Sequence, residues 1–317
     1  MSPAPRLPAA ARALRAGDRR LLSRLITETE NDLPRARAVL RAIYPLTGRA
    51  RIVGLTGPLG VGKSSLINAL LLHLRQRGRR VAVVAVDPSS PFSGGSVLGD
   101  RIRFDTASED PDIYVRSMAS RGHTGGLART TREVVRLLEA AGFDLVLVET
   151  VGSGQVDVEV REIATTSVVV LVPHLGDEVQ TLKAGLFEIA DVFCVNKADL
   201  PGADRARRDL SELAALGAPA SGWRPPVVAT STSDGTGIPE LWDAIESHER
   251  YLDESGLRLV EERRRLTNEV VTLAEERFRT HLARDRSLAR RIAPVLARRI
   301  DPETAARRWW AEIRRRR

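Results

Sequence analysis

Gly57-Pro-Leu-Gly-Val-Gly-Lys63-Ser64 lies between an apolar run, Arg51 to Thr56, and a helical pattern that opens at Ser64 and continues to Leu74. A strand, a glycine-rich turn, Lys-Ser and a helix in that order form the pattern of a phosphate-binding loop. The mechanism explains the residue types. Gly57, Gly60 and Gly62 free backbone N–H groups to wrap the α- and β-phosphates at the positive end of the helix. Lys63 reaches the β- and γ-phosphates and the Ser64 hydroxyl ligates Mg²⁺, with Val61 and Ser65 completing the expected nucleotide-contacting set.

Outward from this loop, short β-branched runs alternate with helical stretches: Arg51 to Thr56, Arg80 to Asp87, Asp144 to Thr150, Ser167 to Pro173, Asp191 to Asn196 and Pro226 to Thr230. Unbroken apolar strands separated by helices require a mostly parallel sheet covered on both faces, the doubly wound α/β class. Before it, Leu21 to Ile26 and Leu33 to Ile43 show 3 and 4 spacing, giving two amphipathic helices, the second opened by Pro34. After Ile238 the pattern is helical, with Leu257, Val260, Leu266, Val270, Leu273 and Phe278 on one long stripe. The expected organisation is an N-terminal helical arm (1–50), a nucleotide-binding domain (51–248) and a C-terminal helical region (249–317). A stripe projecting from a finished α/β domain needs cover, and a second copy of the chain is an economical source.

Composition narrows the classes. Hydrophobic residues are 43% and charged residues 28% of the 317, globular values with enough chain to bury a core. The longest apolar runs are strand-sized and the first twenty residues lack a signal-type apolar segment, so a membrane span is excluded and the cytoplasm is the expected location. The single cysteine, Cys194, excludes an intramolecular disulfide and reads as a core residue. The five histidines show no metal-ligand spacing. A formal charge of +8 invites a nucleic-acid reading, yet residues 249–317 alone carry +7, which fits a solvated helical face or an acidic partner equally well. Of the 49 basic residues only Lys63, Lys183 and Lys197 are lysines, and two of these fall in nucleotide motifs.

Asn196-Lys197-Ala198-Asp199, at the end of an apolar strand, fits the guanine-reading motif. The Asp199 carboxylate would accept from guanine N1–H and the exocyclic amine, and adenine would leave it unpaired, so GTP is favoured over ATP. Asn196 would brace the loop and the Lys197 stem would cross the ring, while Thr230, Ser231 and Thr232 are placed to supply backbone contacts to guanine O6. Glu149-Thr-Val-Gly152 ends another strand where GTPases carry Asp-x-x-Gly, an acid on the Mg²⁺ shell and a glycine N–H at the γ-phosphate. Asp87 and Asp100 complete three candidate carboxylates for the metal and the attacking water. Gln155 stands too far from Gly152 to match the water-orienting Gln of Ras-like enzymes. Arg103, Arg116 and Arg121 are candidates for a charge-stabilising arginine.

The ordered set Gly57 to Ser64, Val86 to Ser90, Gly94 to Asp100, Arg121 to Leu127, Glu149 to Gln155, Gly176 to Gln180 and Asn196 to Asp199 resembles the MeaB/ArgK family of G proteins across residues 50 to 240. The resemblance implies a GTPase chaperone of adenosylcobalamin-dependent acyl-CoA mutases, methylmalonyl-CoA mutase being the usual client, that gates cofactor delivery and protects or reactivates the mutase. It also implies homodimers joined through C-terminal helices, a cobalamin adenosyltransferase as a further partner, Mg²⁺ with GTP or GDP as the bound species, and no directly bound cobalamin. Lys63, Asp87, Asp100 and Glu149 become the catalytic set, with Ser64 and the three acids on the metal. Segments 88–104, 149–158 and 176–183 would be switches, the last containing Lys183. Ser65 and Thr232 depart from the commoner Thr and Ala.

Three other classes compete. A small-molecule kinase would share the phosphate loop but not the guanine motif. A nickel-insertion GTPase should carry Cys/His clusters, which this sequence lacks. A nucleic-acid module would have to rest on Arg307-Arg308 and Arg314 to Arg317 alone.

Overall fold

The computed structural model describes residues 9–87, 110–119, 126–150, 160–173, 188–216, 222–283, 285 and 287–315, and the chain divides into two compact units, 1–260 and 261–317. The first unit opens with three helices, α1 (Ala9–Arg15), α2 (Arg19–Glu30) and α3 (Pro34–Ile43). Asp18 caps α2 by accepting from the Leu21 N–H at 2.9 Å, and Pro34 starts α3 where its missing donor costs nothing. The phosphate-loop region follows as β1 (Arg51–Thr56) and α4 (Lys63–Gln76). Then come β2 (Val81–Asp87), β3 (Ile113–Ala119), α5 (Gly126–Ala140), β4 (Leu145–Glu149), β5 (Thr166–Leu171), β6 (Val192–Val195), α6 (Ala203–Leu216), β7 (Val227–Ala229) and α7 (Ile238–Glu254).

Among the described residues seven strands form one sheet in the order β3-β2-β4-β1-β5-β6-β7, every pairing parallel. Strand periodicity sorts the core into two layers. Val81, Val83, Leu145 and Leu147 face α4 and α7, where Leu66, Leu70, Trp242 and Ile245 meet them. Ala82, Val84, Val146 and Val148 face the opposite way onto Leu22, Leu25, Ile26, Val134, Leu137 and Leu138, so α1 to α3 belong to the same layer as α5. The N-terminal helices number three rather than the expected two, since the Ala/Arg-rich α1 has too few large apolar residues to show a period.

β3 was absent from the expected strands. Its run Ile113-Tyr-Val-Arg-Ser-Met-Ala mixes polar residues into an edge strand, and α2 supplies partners for Tyr114 and Arg116. Arg19 Nη2 donates to the Ile113 carbonyl at 2.6 Å, Ser23 Oγ meets Tyr114 OH at 3.0 Å, and Arg116 Nη2 pairs with Glu30 at 2.5 Å. An edge strand that would otherwise invite pairing with another chain is thereby shielded. A second tie fixes the linker before β1: Glu139 Oε1 on α5 accepts from the N–H groups of Gly48, Arg49 and Ala50, each at 3.0 Å. Burial pushes the Glu139 carboxyl above its ordinary value, and those three donors only partly offset this.

At the amino ends of the strands, Glu249 on α7 is fully buried. It accepts from Thr165 Oγ1 at 2.5 Å, Thr166 Oγ1 at 2.9 Å and Arg258 Nη2 at 2.7 Å. Burial raises its pKa, but the bonds from Thr165, Arg258 and Thr166 outweigh it and leave the carboxyl below its ordinary value. His248 beside it contacts Thr166 Oγ1 through Nδ1 at 2.9 Å, and burial holds its pKa down despite Asp191 and Glu249.

The helix α8 (Leu257–Ala283) crosses the division between the units, and α9 (Leu288–Leu296) and α10 (Pro302–Arg315) complete the second. In that unit Phe278 and Trp310 meet edge-on at 5.7 Å, and Arg291 lies 5.4 Å over Trp309 while pairing with Glu312 at 2.7 Å. The α8 stripe leaves Val260, Val270 and Phe278 exposed, with Leu257, Leu266 and Leu273 partly buried. No described helix is long and apolar enough to cross a membrane.

Candidate functional site

β1 lies between β4 and β5 in the sheet; the connection leaving β1 runs to β2 on one side and that leaving its neighbour β5 runs to β6 on the other, which opens a crevice at their carboxyl ends. The glycine loop fills that position. Gly57 has φ +139°, and a Cβ there would collide with the Val170 carbonyl of β5, so only glycine lets the loop lie against the neighbouring strand. Gly62, φ +92°, leads directly into α4. Val61 is buried in the core and anchors the loop, while Ser65 is exposed on the first turn of α4. Lys63 is buried, its ammonium donating to the Gly57 and Pro58 carbonyls at 2.6 and 2.9 Å.

Ser64 Oγ donates to Glu149 Oε1 at 2.6 Å, bringing a hydroxyl from the α4 start to the carboxylate ending β4. Hard oxygen donors converging at a helix N-terminus beside a lysine fit a small divalent cation and its phosphate ligands. Thr150 extends the junction by donating to Thr56 Oγ1 at 2.9 Å, while its N–H bonds the Leu55 carbonyl at 3.1 Å. Asp87 ends β2 two residues beyond Ala85, the register partner of Glu149, and its side chain lies outside the described set. Asp100, Gly152, Gln155, Lys183, Arg103 and Arg121 also lie outside the described residues, as do nearly all of the three expected switch segments. Arg116 is held by Glu30 and Thr27 on α2, which commits it to the edge strand.

The other half of the site forms where β6 and β7 end. The Asn196 N–H bonds the Leu171 carbonyl at 2.8 Å, and its side-chain Nδ2 donates to the Val61 carbonyl of the glycine loop at 2.8 Å. Lys197 adopts the left-handed conformation, φ +58°, which turns its ammonium onto the Gly60 carbonyl at 2.9 Å. The next loop is tied in by the Ala198 N–H to the Thr230 carbonyl at 2.9 Å. Thr230 Oγ1 donates to Asn196 Oδ1 at 3.1 Å and lies 3.1 Å from Cys194 Sγ. Ser231 is buried, its N–H bonded to the Thr236 carbonyl, with Thr232 partly buried beside it and Asp199 exposed. The Thr236 N–H and hydroxyl, with the Ser231 hydroxyl, keep the Asp234 carboxyl below its ordinary value, so that loop is self-braced. Burial drives the Cys194 thiol up to about 12, Thr230 opposing only weakly.

Of the residues read from sequence, the structure brings Gly57 to Ser64, Glu149, Asn196, Lys197 and the start of the Ser231 loop into one hydrogen-bonded assembly. Thr56 and Thr150 belong to it and were not among the expected residues, while Thr230 was expected for its backbone and joins it through its hydroxyl. Their signal is a threonine placed at the carboxyl end of an otherwise apolar strand, a polar group where the sheet meets the site.

A glycine loop feeding a helix on a parallel sheet, bonded to an Asn-Lys-x-Asp loop, defines a P-loop GTPase. The family profile described as methylmalonyl-CoA mutase-associated GTPase MeaB matches residues 22–287, and the chain belongs to that MeaB/ArgK family. A Pyrococcus horikoshii protein named as a GTPase is 46% identical over 301 residues, covering 92% of this chain and 94% of its own. The mouse protein named methylmalonic aciduria type A homolog, mitochondrial, is 34% identical over 296 residues, covering 91% and 71%. The crystal structure titled LAO/AO transport system kinase superposes with a TM-score of 0.74 at 28% identity, covering 96% of each chain. The chain is a GTPase: it binds guanine nucleotide and hydrolyses GTP to GDP and phosphate.

Proposed function

We propose that this GTPase is a chaperone for an adenosylcobalamin-dependent acyl-CoA mutase, with methylmalonyl-CoA mutase the first candidate client, and that GTP binding and hydrolysis gate cofactor delivery to it and its protection or reactivation. The observation that carries the reading is the family match over residues 22–287. The mouse relative's name, which refers to methylmalonic aciduria, agrees with it. A cobalamin adenosyltransferase is the proposed donor partner, and the cytoplasm the proposed location.

In the proposed site the loop amides of Gly57, Gly60 and Gly62 and the Lys63 ammonium hold the phosphates and stabilise the charge that develops on the transferring phosphoryl group. Ser64, Glu149, Asp87 and Asp100 would hold Mg²⁺, which when bound would supply positive charge to offset that of the phosphates. The acids also position the attacking water, and the Gly152 N–H meets the γ-phosphate. Lys63 would exchange its bonds to the Gly57 and Pro58 carbonyls for phosphate oxygens, so the buried ammonium keeps acceptors throughout. Asp199 reads guanine, Lys197 lies over the ring, and the backbone at Ser231 and Thr232 meets O6. The exposed apolar residues Val270, Leu296 and Trp310 support a homodimer through the C-terminal helices.

GTP turnover by the purified protein, alone and with cobalamin-dependent mutases, tests the proposal, with ATP and Lys63→Ala as controls. Slow, GTP-selective turnover that rises several-fold with one mutase is the expected result. Turnover indifferent to every such mutase would overturn the chaperone role.

A further inference from the structure

Away from the nucleotide site, the amino ends of β5 and β6 meet α7 in a buried polar cluster. The Thr166 hydroxyl has one proton and lies 2.9 Å from two groups able to take it, His248 Nδ1 and Glu249 Oε1. On the other face of the imidazole, Asp191 Oδ1 lies 3.4 Å from Nε2 and, as a carboxylate, only accepts. A neutral imidazole carries one N–H and cannot serve both faces. With that N–H turned to Asp191, it draws the Thr166 proton to Nδ1 and leaves Thr166 nothing to give Glu249. An imidazolium donates to Asp191 and Thr166 together and frees the Thr166 proton for Glu249. The bond from Thr166 to Glu249 is therefore complete only when His248 is charged. Thr166 and Glu249 are fully buried and His248 nearly so, which keeps water from supplying the missing donor.

Glu249 also holds the chain that follows. Only Ser255 and Gly256 separate α7 from α8, and Gly256 takes φ +73° to make the turn. Arg258, in the first turn of α8, folds back over α7. Its Nη2 donates to the Glu249 carbonyl at 2.9 Å and to Glu249 Oε2 at 2.7 Å, and the guanidinium also pairs with Asp253. We propose that Thr166, His248, Glu249 and Arg258 form a proton-operated latch on the start of α8: a proton taken up by His248 hands the Thr166 hydroxyl to Glu249, and the new positive charge competes with Arg258 for that carboxylate and frees the first turn of α8.

The surrounding charges set its direction. Asp191, before β6, and Glu249, on α7, favour the imidazolium, whereas Arg258 on α8 and Arg161 in the turn Val160–Glu162 oppose it. Asp253 is engaged by Arg258 and Arg161 by the Glu188 carbonyl, and the ring facing His248 at 4.9 Å is the uncharged Trp223. Burial is the largest influence and keeps His248 below the ordinary 6.5. The latched form thus resists a proton that an opened form would take, so acid favours opening as pH falls below that value. The latch involves no nucleotide and stands apart from the chaperone reading.

Hydrogen exchange in the full-length protein from about pH 7.5 to 5 tests it, with rates expressed as protection factors so that the intrinsic pH dependence cancels. The amides of residues 261–264 report on the latch, because their N–H groups donate to the carbonyls of the first turn of α8. Their protection should fall about three- to tenfold through the titration of His248, followed by its imidazole carbon signal. Low urea should leave their exchange unchanged while that of β1 amides accelerates, the mark of a local opening. His248→Gln should remove the step, Thr166→Val should at least halve it, and Thr166→Ser should keep it. Arg258→Met should leave the same amides weakly protected at every pH. A flat profile in the unaltered protein, an undiminished step in His248→Gln or Thr166→Val, or a urea response equal to that of β1 would each overturn the latch.

Discussion

Residues 1–260 and 261–317 are built on different principles. The first unit has a two-layer core in which residues from Ala11 to Leu252 are buried, and its formal charge is zero. The second has 17 Arg against 9 Asp plus Glu and so carries the whole +8 of the chain. Among its described residues no apolar side chain is buried, Glu269 being the buried one, while Leu296 is 78% and Trp310 53% exposed. A unit of this kind holds its shape through aromatic and arginine contacts such as Phe278 with Trp310 and Arg291 with Trp309, which supply far less than a packed core. The sheet unit is self-sufficient, and the helical one gains most from being covered by the proposed second copy.

The contrast can be broken at its strongest point first. Trp242→Ala empties one of the largest fully buried sites of the sheet unit and should cost about 3–5 kcal/mol in denaturant unfolding. Val270→Ala in the helical unit should shift the same measurement by less than about 0.5 kcal/mol. Comparable costs would show that the two units share one cooperative core. Next, Lys63→Ala should lower GTP turnover by about 10²- to 10³-fold, read as phosphate release, with the thermal midpoint of the sheet unit nearly unchanged. Removing the Glu139 carboxylate should destabilise by about 1–3 kcal/mol, because three N–H groups of the linker before β1 lose their acceptor together. Glu139→Gln, which retains an acceptor, should recover part of this in the same denaturation curve.

The smallest effect is on pH. The folded state holds His248 below the ordinary 6.5, so the unfolded chain takes up the proton first, and stability present above that value falls as pH drops below it. Glu249 has a depressed carboxyl pKa, and its contribution is lost later, as pH falls below the ordinary 4.5 toward the folded value. His248→Gln should remove the first decline of the thermal midpoint and leave the second. A midpoint flat between pH 7 and 5 in the unaltered protein would show that the other groups cancel it.

Local signals made the centre of the sheet and the phosphate loop legible. β1, β2, β4 and β5 are continuous apolar runs, and the glycine loop announces itself through spacing and the rarity of lysine. β3 was not legible, because Arg116 and Ser117 interrupt it and the partners of Arg116 lie about 90 residues away on α2. The same reason hid the clasp of Glu139 on residues 48–50 and the link from Thr230 to Asn196. A motif records what touches the ligand. The groups that aim those residues come from distant strands, and a local window does not show what they aim.

Cys194 is the chain's single thiol, wholly enclosed in β6 and pushed to a pKa of about 12. A reagent that needs thiolate cannot react with it while β6 and β7 stay paired, so its modification rate is a clock for the opening of that side of the sheet. The unaltered protein thus has a built-in reporter, and slower labelling on addition of guanine nucleotide would measure directly how firmly the base-reading loops are closed.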